Sequence, residues 1–390
     1  MQIVILGAGY AGLRAAIDLD HLLRERKRTD TVILVDQFPY HQLVQVLHHT
    51  VASNAPVQDA IYDLAALLRT SGVRFVQGRA SRLALHERQV ELEDGQRLAY
   101  DRLVITLGAE TAYQVPGAQA HTLDLRTYEH ALRLRAHLIA QFTAAAKTTD
   151  PNEQRILLTT AIVGGSYTGC QLAGELAAWV DDLCRETGAP RTQVRIALIE
   201  RGHLLLQEFG SWATREAERA LDALGVSVYL DTAVESVEPQ TLRVEGKRVL
   251  RAATLVWAAG VKGPDLLRES GLPVDATGHV RTDRYLRVLE NPLIFAAGDC
   301  AAIPDLVEGQ VPATASYAMR QGSHLAETLL AEIEGRSIRT YEPVRLGGLV
   351  SLGPEYAVGN PLGVTVSGYP AVLMKKGIES WYRSTLTVKA

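Results

Sequence analysis

The sequence predicts an α/β protein made of two copies of one strand–turn–helix–strand unit and a small C-terminal α+β region. Three observations predict it. A glycine-rich turn follows an apolar run at Gly7 and again at Gly164. Each turn opens a helix-period pattern and then a second apolar run ending in an acid, Asp36 in the first copy and Glu200 in the second. Each copy is closed by a short apolar strand and a small-residue turn, at Gly108 and at Gly260.

In the first copy, Ile3-Val4-Ile5-Leu6 leads into Gly7-Ala8-Gly9-Tyr10-Ala11-Gly12, and Leu13, Ala15, Ala16, Leu19 and Leu22 follow at helical spacing. Gly7 permits the tight turn, Gly9 lets a pyrophosphate approach the backbone, and Gly12 lets the helix pack close to the strand. The helix N-terminus then offers unpaired N–H groups and a positive dipole end to the phosphates. The next strand, Thr31–Val35, ends at Asp36, where a carboxylate can accept both hydroxyls of an adenosine ribose. Strand, helix and acid agree on a dinucleotide site.

The second copy runs from Ala161-Ile162-Val163 through Gly164-Gly165-Ser166-Tyr167-Thr168-Gly169 into a helix carrying Leu172, Ala173, Leu176, Ala177 and Trp179. Its acid, Glu200, closes the strand Val194–Ile199. Ser166 stands where the middle glycine belongs, and its Cβ would crowd the closest approach to a pyrophosphate. Glu200 repels a ribose 2′-phosphate and favours NADH over NADPH, tempered by the adjacent Arg201. A nicotinamide dinucleotide is the expected ligand, against a degenerate repeat kept for structure.

Strands are expected at Tyr100–Gly108, where the chain leaves the first unit, at Thr254–Gly260, and at Leu293–Asp299. The last ends in Asp299, placed to hold a ribityl hydroxyl chain. The expected division is residues 1–112 with 285–335 as a first dinucleotide domain, 113–284 as a second, and 336–390 as a C-terminal interface or membrane-contact region.

Composition excludes other classes. Among 390 residues, 40 basic against 44 acidic side chains give a net charge of −4 with the signs interspersed, so nucleic acid is not an expected partner. Three scattered cysteines, Cys170, Cys184 and Cys300, suit neither a disulfide framework nor a zinc site and point to a reducing compartment. No apolar run reaches the roughly 18 residues of a membrane span. A cytoplasmic protein is expected, with peripheral contact at the inner face of the cell membrane left open. His48 and His49 are adjacent, which is expected to point them in different directions, and no carboxylate or cysteine pattern accompanies them, so no metal is expected.

Taken in order, Gly7 through Gly12, Asp36 with Tyr40-His41, Thr106-Leu107-Gly108, Gly164 through Glu175, Trp257 through Val261, Phe295 through Cys300, Pro312 through Ala315 and Gln321-Gly322 resemble the pyridine-nucleotide-disulfide oxidoreductase superfamily, and within it the type II NADH dehydrogenases. The resemblance implies two Rossmann-like domains, with non-covalent FAD in the first and NADH in the second. It implies that Asp36 holds the adenosine ribose and Asp299 the ribityl chain. The implied activity is a respiratory-chain NADH:quinone oxidoreductase that does not pump protons, in which hydride passes from NADH to flavin and two electrons pass to a quinone. A homodimer is expected.

Several positions depart from the family pattern. Members usually carry a glutamate where this chain has Gln171, and Glu175, one helical turn on, matches the family's second glutamate. Tyr167 stands where many type II enzymes have proline; it resembles a tyrosine that covers the nicotinamide pocket in glutathione-reductase-like enzymes, and packing between domains is an equal alternative. At the acceptor site, two glutamines four residues apart are replaced by Ser316 and Arg320, with the following Gln321 retained. Arg320 could bind a quinone oxygen or an anionic acceptor, or be structural. The expected catalytic set is Gln171, Glu175 and Tyr167, and the cysteines are expected to be packed thiols. After Pro370, Met374, Ile378, Trp381 and Thr385 share one helical face, with Lys376, Glu379 and Arg383 opposite and Gly377 interrupting. That face suits a membrane interface, its own domain or a second copy. Two other functions stay open: a flavoprotein with a soluble acceptor, and a flavin-bound redox sensor.

Overall fold

The structure, a computed structural model, describes residues 1–386; the last four residues of the C-terminal region lie outside the described residues. The chain opens with β1 (Gln2–Leu6), whose apolar run is buried on both faces, as a central strand of a parallel sheet requires. The helix α1 (Tyr10–Glu25) crosses over to β2 (Thr31–Asp36), and α2 (Leu47–Val51), β3 (Arg74–Gln77) and β4 (Arg102–Ile105) follow. A long helix, α3 (Tyr128–Lys147), leads to the second unit.

The second unit repeats the plan with β5 (Thr159–Val163), α4 (Tyr167–Thr187), β6 (Arg195–Ile199), α5 (Gly210–Ala223), β7 (Val226–Tyr229) and β8 (Thr254–Trp257). Its sheet has the order β7-β6-β5-β8, with all neighbours parallel. The chain then returns through β9 (Arg287–Val288) and β10 (Asn291–Ala296) to complete the first sheet, β9-β10-β4-β1-β2-β3, in which only β9 is antiparallel. A helix, α6 (Ala315–Ile333), covers α1, and Gly322 permits that contact because a Cβ there would overlap the Ala11 carbonyl. This is a mixed α/β fold with two Rossmann-like sheets, each carrying its glycine-rich turn at the carboxyl end of its first strand.

The C-terminal part is a small sheet of β11 (Leu349–Ser351), β12 (Ala357–Gly359) and β13 (Val366–Ser367), with α7 (Tyr369–Leu386) against it. Two expectations for α7 are corrected. The helix runs through Gly377 without a break, because a mid-helix glycine costs only about 1 kcal/mol and Val372, Tyr382 and Leu386 bury the inner side. Lys375 and Glu379 also turn inward, forming an ion pair at 2.6 Å. The apolar side, Leu373, Met374, Ile378 and Trp381, faces outward and is roughly half exposed, so it does not pack on its own domain. No helix among the described residues is long and apolar enough to cross a membrane.

Candidate functional site

Each glycine-rich turn is built from steric necessities. Gly7 has φ 97° and faces the Thr106 carbonyl, and a Cβ on Gly12 would overlap the Gly7 carbonyl and Thr106 Oγ1. Thr106 Oγ1 donates to the Leu6 carbonyl at 2.8 Å, fixing β4 against the turn. Around Gly9, by contrast, a Cβ would meet nothing within 4 Å. Behind the turn, Asp36 accepts from the Ala8 N–H at 2.6 Å and the Phe38 N–H at 2.9 Å. Burial raises the Asp36 pKa, only partly offset by those amide bonds. A carboxylate has about four lone-pair sites, so it can also accept from ribose hydroxyls.

The second turn has the same construction. Gly164 has φ 112° against the Ala258 carbonyl, and a Cβ on Gly169 would overlap the Gly164 carbonyl. Glu200 accepts from the Gly165 and Gly202 N–H groups, both at 2.7 Å. Ser166 is exposed and has φ −84°, ψ −169°, close to the −71°, −165° of Gly9. Neither residue's side chain caps its helix, whereas α3 is capped by Thr127. The first N–H groups of α1 and α4 therefore point into the two cradles, as anion-binding helix termini do. Gly108 and Gly260 close the copies with φ of 70° and 77°.

Asp299 lies in a single 3₁₀ turn after β10. Burial raises its pKa, and Arg126, 3.9 Å away, and His279 pull the other way. Gln321, buried on α6, accepts from the Gly298 N–H at 2.7 Å and so holds this turn. Ser316 and Arg320 form a unit of their own, with the guanidinium donating to the Ser316 carbonyl and hydroxyl, both at 2.7 Å.

On α4, the buried Gln171 donates to Ser351 Oγ at 3.3 Å, and Ser351 Oγ lies 3.2 Å from His48 Nε2. One turn on, Glu175 meets His49, with Oε1 3.3 Å from Nδ1. This corrects the expectation for the two histidines. Their ring centroids are 4.1 Å apart, and the carboxylate absent from the local sequence arrives from α4. Burial drives the His48 pKa well below its ordinary value, so the ring is neutral. Tyr167 packs on Phe209 with ring centroids 5.4 Å apart, its hydroxyl beside Gly348; burial and the nearby Glu208 raise its pKa. The three cysteines are buried free thiols, with Cys300 pushed up to about 12 by burial.

Sequence reasoning missed Ser351, Arg126 and the pairing of His41 with Tyr382. His41 sits wholly buried between the Ala8 carbonyl and the Tyr382 hydroxyl, 2.8 Å from each, and so connects α7 to the first glycine-rich turn. No spacing signals such contacts, since Tyr382 and His41 are 341 positions apart.

Comparison with known proteins agrees with this architecture. The family described as pyridine nucleotide-disulphide oxidoreductase matches residues 1–322. A type II NADH:quinone oxidoreductase of Staphylococcus aureus is 30% identical over 386 residues, covering 97% of this chain and 94% of that protein. Among solved structures, NDH2 from Plasmodium falciparum in complex with NADH superposes with a TM-score of 0.88 at 17% identity, covering 97% of this chain and 94% of the other. The sulfide:quinone oxidoreductase of Aquifex aeolicus gives 0.80 at 19%, covering 99% and 91%. At such identities the structural likeness speaks to the fold; the family match and the full-length relative speak to kinship. The chain belongs to the pyridine nucleotide-disulphide oxidoreductase family, with type II NADH:quinone oxidoreductases as relatives along nearly its whole length.

Proposed function

We propose that this protein is an FAD-dependent NADH:quinone oxidoreductase that does not pump protons, with FAD in the first cradle and NADH in the second. One observation carries the reading: two turns of the same backbone construction, each with an uncapped helix terminus and an acid behind it, the first with open space around its middle glycine. The residues present fit FAD, because a Cβ at Gly9 would occupy the space a pyrophosphate needs. When bound, FAD supplies two-electron redox chemistry between NADH and a quinone.

The protein's own residues hold, orient and shield. Gly7, Gly9, Gly12 and Asp36 would hold the adenosine and pyrophosphate of FAD, and Asp299, supported by Gly298, Gln321 and Arg126, its ribityl side. Gly164, Ser166, Gly169 and Glu200 would hold NADH, with Gly108 and Gly260 setting the exits from each unit. Gln171, Glu175 and Tyr167 are the proposed catalytic side chains: Gln171 is a fixed amide donor, Glu175 a buried carboxylate facing His49, and Tyr167 an aromatic wall excluding water. The return of β9 and β10 to the first sheet supports a division into 1–112 with 285–335, 113–284, and 336–390. The outward apolar side of α7, flanked by the exposed Lys376, supports docking at the inner face of the cell membrane, where a quinone resides. A homodimer closed over the same side is the competing use of that surface.

A second reading, a soluble acceptor, is favoured by one observation: Arg320, tied to Ser316 through Nη1, puts a fixed cation on α6, which suits an anionic acceptor. Anaerobic NADH added to the purified protein should bleach the flavin band near about 450 nm, and a short-chain quinone should restore it. A band left oxidised by NADH would remove the proposal; bleaching without recovery by quinone, together with no flotation on liposomes, would move it to the soluble acceptor.

A further inference from the structure

The short helix α2 lies against α4, and their contact gathers three groups that neither helix could assemble alone. His48 and His49 come from α2 and Glu175 from α4, and one ligand atom of each lies within 4.8 Å of the others. The pair best defined is Glu175 Oε1 and His49 Nδ1, 3.3 Å apart. Oε1 has no aligned hydrogen-bond partner, although Glu175 is only 3% exposed. A carboxylate oxygen removed from water without a donor is costly, and a cation between Oε1 and Nδ1 would remove that cost.

The distances suit such an ion. Ligands held tetrahedrally at about 2.1 Å stand roughly 3.4 Å apart, close to the separation of Oε1 and Nδ1. His49 is the partly exposed member, so its ring can turn to close the remaining distance to His48. The Ser351 hydroxyl lies 3.2 Å from His48 Nε2, which leaves Nδ1 as the nitrogen to be assigned to the ion, with Ser351 as the outer partner that metal-binding histidines usually have. A cavity of about 270 Å³ adjoins the cluster, lined by His49, Glu175, Ser351, Lys375 and Glu379 among others, and has room for a coordinating water. Of the cations lining this cavity, Lys375, Lys376 and Arg383, Lys375 is met by Glu379 at 2.6 Å and so does not face the cluster uncompensated.

We propose that His48, His49 and Glu175 form a binding site for one divalent cation of the zinc class, with two imidazoles and a carboxylate as ligands and a water from the cavity as the fourth. Two neutral nitrogens and one carboxylate oxygen are the donor set of three-ligand zinc sites, and they disfavour magnesium and calcium, which take oxygen ligands.

The test uses the protein as purified, dialysed against a chelator and titrated with zinc sulfate in a calorimeter, beside His49→Ala and Glu175→Gln. One equivalent is expected in the wild type, weakened roughly tenfold or more in each variant, with both variants unfolding at a temperature close to the wild type's. Cobalt(II) in place of zinc should give the wild type the intense visible bands of four-coordinate cobalt, a readout that needs no variant. Zinc bound equally by all three proteins, no zinc bound by the wild type, or the pale spectrum of six-coordinate cobalt would each overturn the site. Metal stoichiometry is read without turnover, so this result stands apart from the success or failure of the redox reading.

Discussion

Lowering the pH from 7 to 5 is expected to destabilise the protein through His41. Its Nδ1 faces the Ala8 carbonyl, which can only accept, so Nδ1 carries the hydrogen and Nε2 accepts from the Tyr382 hydroxyl. The ring is wholly buried, and that burial lowers its pKa from 6.5 to about 4. The unfolded chain therefore binds a proton at a pH where the folded chain does not. Stability is lost as pH falls through 6.5 and goes on falling until the folded ring titrates near 4. With these two values the loss between pH 7 and pH 5 is about 2 kcal/mol, and the loss over the whole window is about 3 kcal/mol. Urea unfolding at both pH values, for the wild type and for His41→Gln, measures it. The glutamine amide can donate to Ala8 and accept from Tyr382 but does not titrate. His48, His137 and His324, also lowered by burial, are common to both proteins and cancel. The wild type should lose about 2 kcal/mol more than the variant; an equal loss in both would refute the reasoning.

Three other expectations follow from the same geometry. Gly9→Ala should sharply reduce retained flavin while leaving the unfolding of the flavin-free protein almost unchanged, whereas Gly12→Ala should cost about 1–3 kcal/mol of stability by pushing a methyl into the Gly7 carbonyl; flavin content and thermal unfolding of the flavin-free proteins read the two apart, and equal unfolding temperatures would contradict this. Ser166→Gly should lower the KM for NADH by roughly 2- to 10-fold, worth up to about 1.4 kcal/mol, and a KM that rises would show that the serine hydroxyl contributes to binding instead. Ile378→Glu with Trp381→Glu should abolish flotation on anionic liposomes without changing the flavin spectrum, since both side chains are more than half exposed; retained flotation would move the membrane contact elsewhere.

The two cradles were legible because their demands are local. A positive φ at Gly7 and Gly164 and a helix pressed onto the turn at Gly12 and Gly169 must be met by residues a few positions apart. The acids were legible too, because a strand's end is marked by where its apolar run stops. What stayed hidden joins distant segments. Ser351 reaches both His48 and Gln171 across 303 and 180 positions, and nothing in either neighbourhood announces it. The period of α7 identified an apolar side but not its direction. Val372, Lys375 and Tyr382, which point inward, are set by contacts with the small sheet and with His41, and periodicity carries no information about partners. The sequence left Arg320 open between an acceptor ligand and a structural arginine; a serine four residues back on a helix lies within its reach, and Nη1 folds onto that residue.

The departure at Ser166 separates what the fold requires from what a ligand requires. Gly7, Gly12 and their counterparts Gly164 and Gly169 are glycines for reasons internal to the protein: a backbone conformation that side chains avoid, or a carbonyl where a Cβ would sit. All four are kept. The middle position differs, since Gly9 and Ser166 share an extended backbone that any residue adopts, and a Cβ on Gly9 would meet no protein atom. Glycine there answers only to a group approaching from outside. It follows that the serine costs the second unit nothing in folding, and that whatever it costs falls on the nucleotide. Ser166→Gly therefore reads nucleotide fit on an undisturbed backbone, and Gly9→Ala is its mirror image in the first unit.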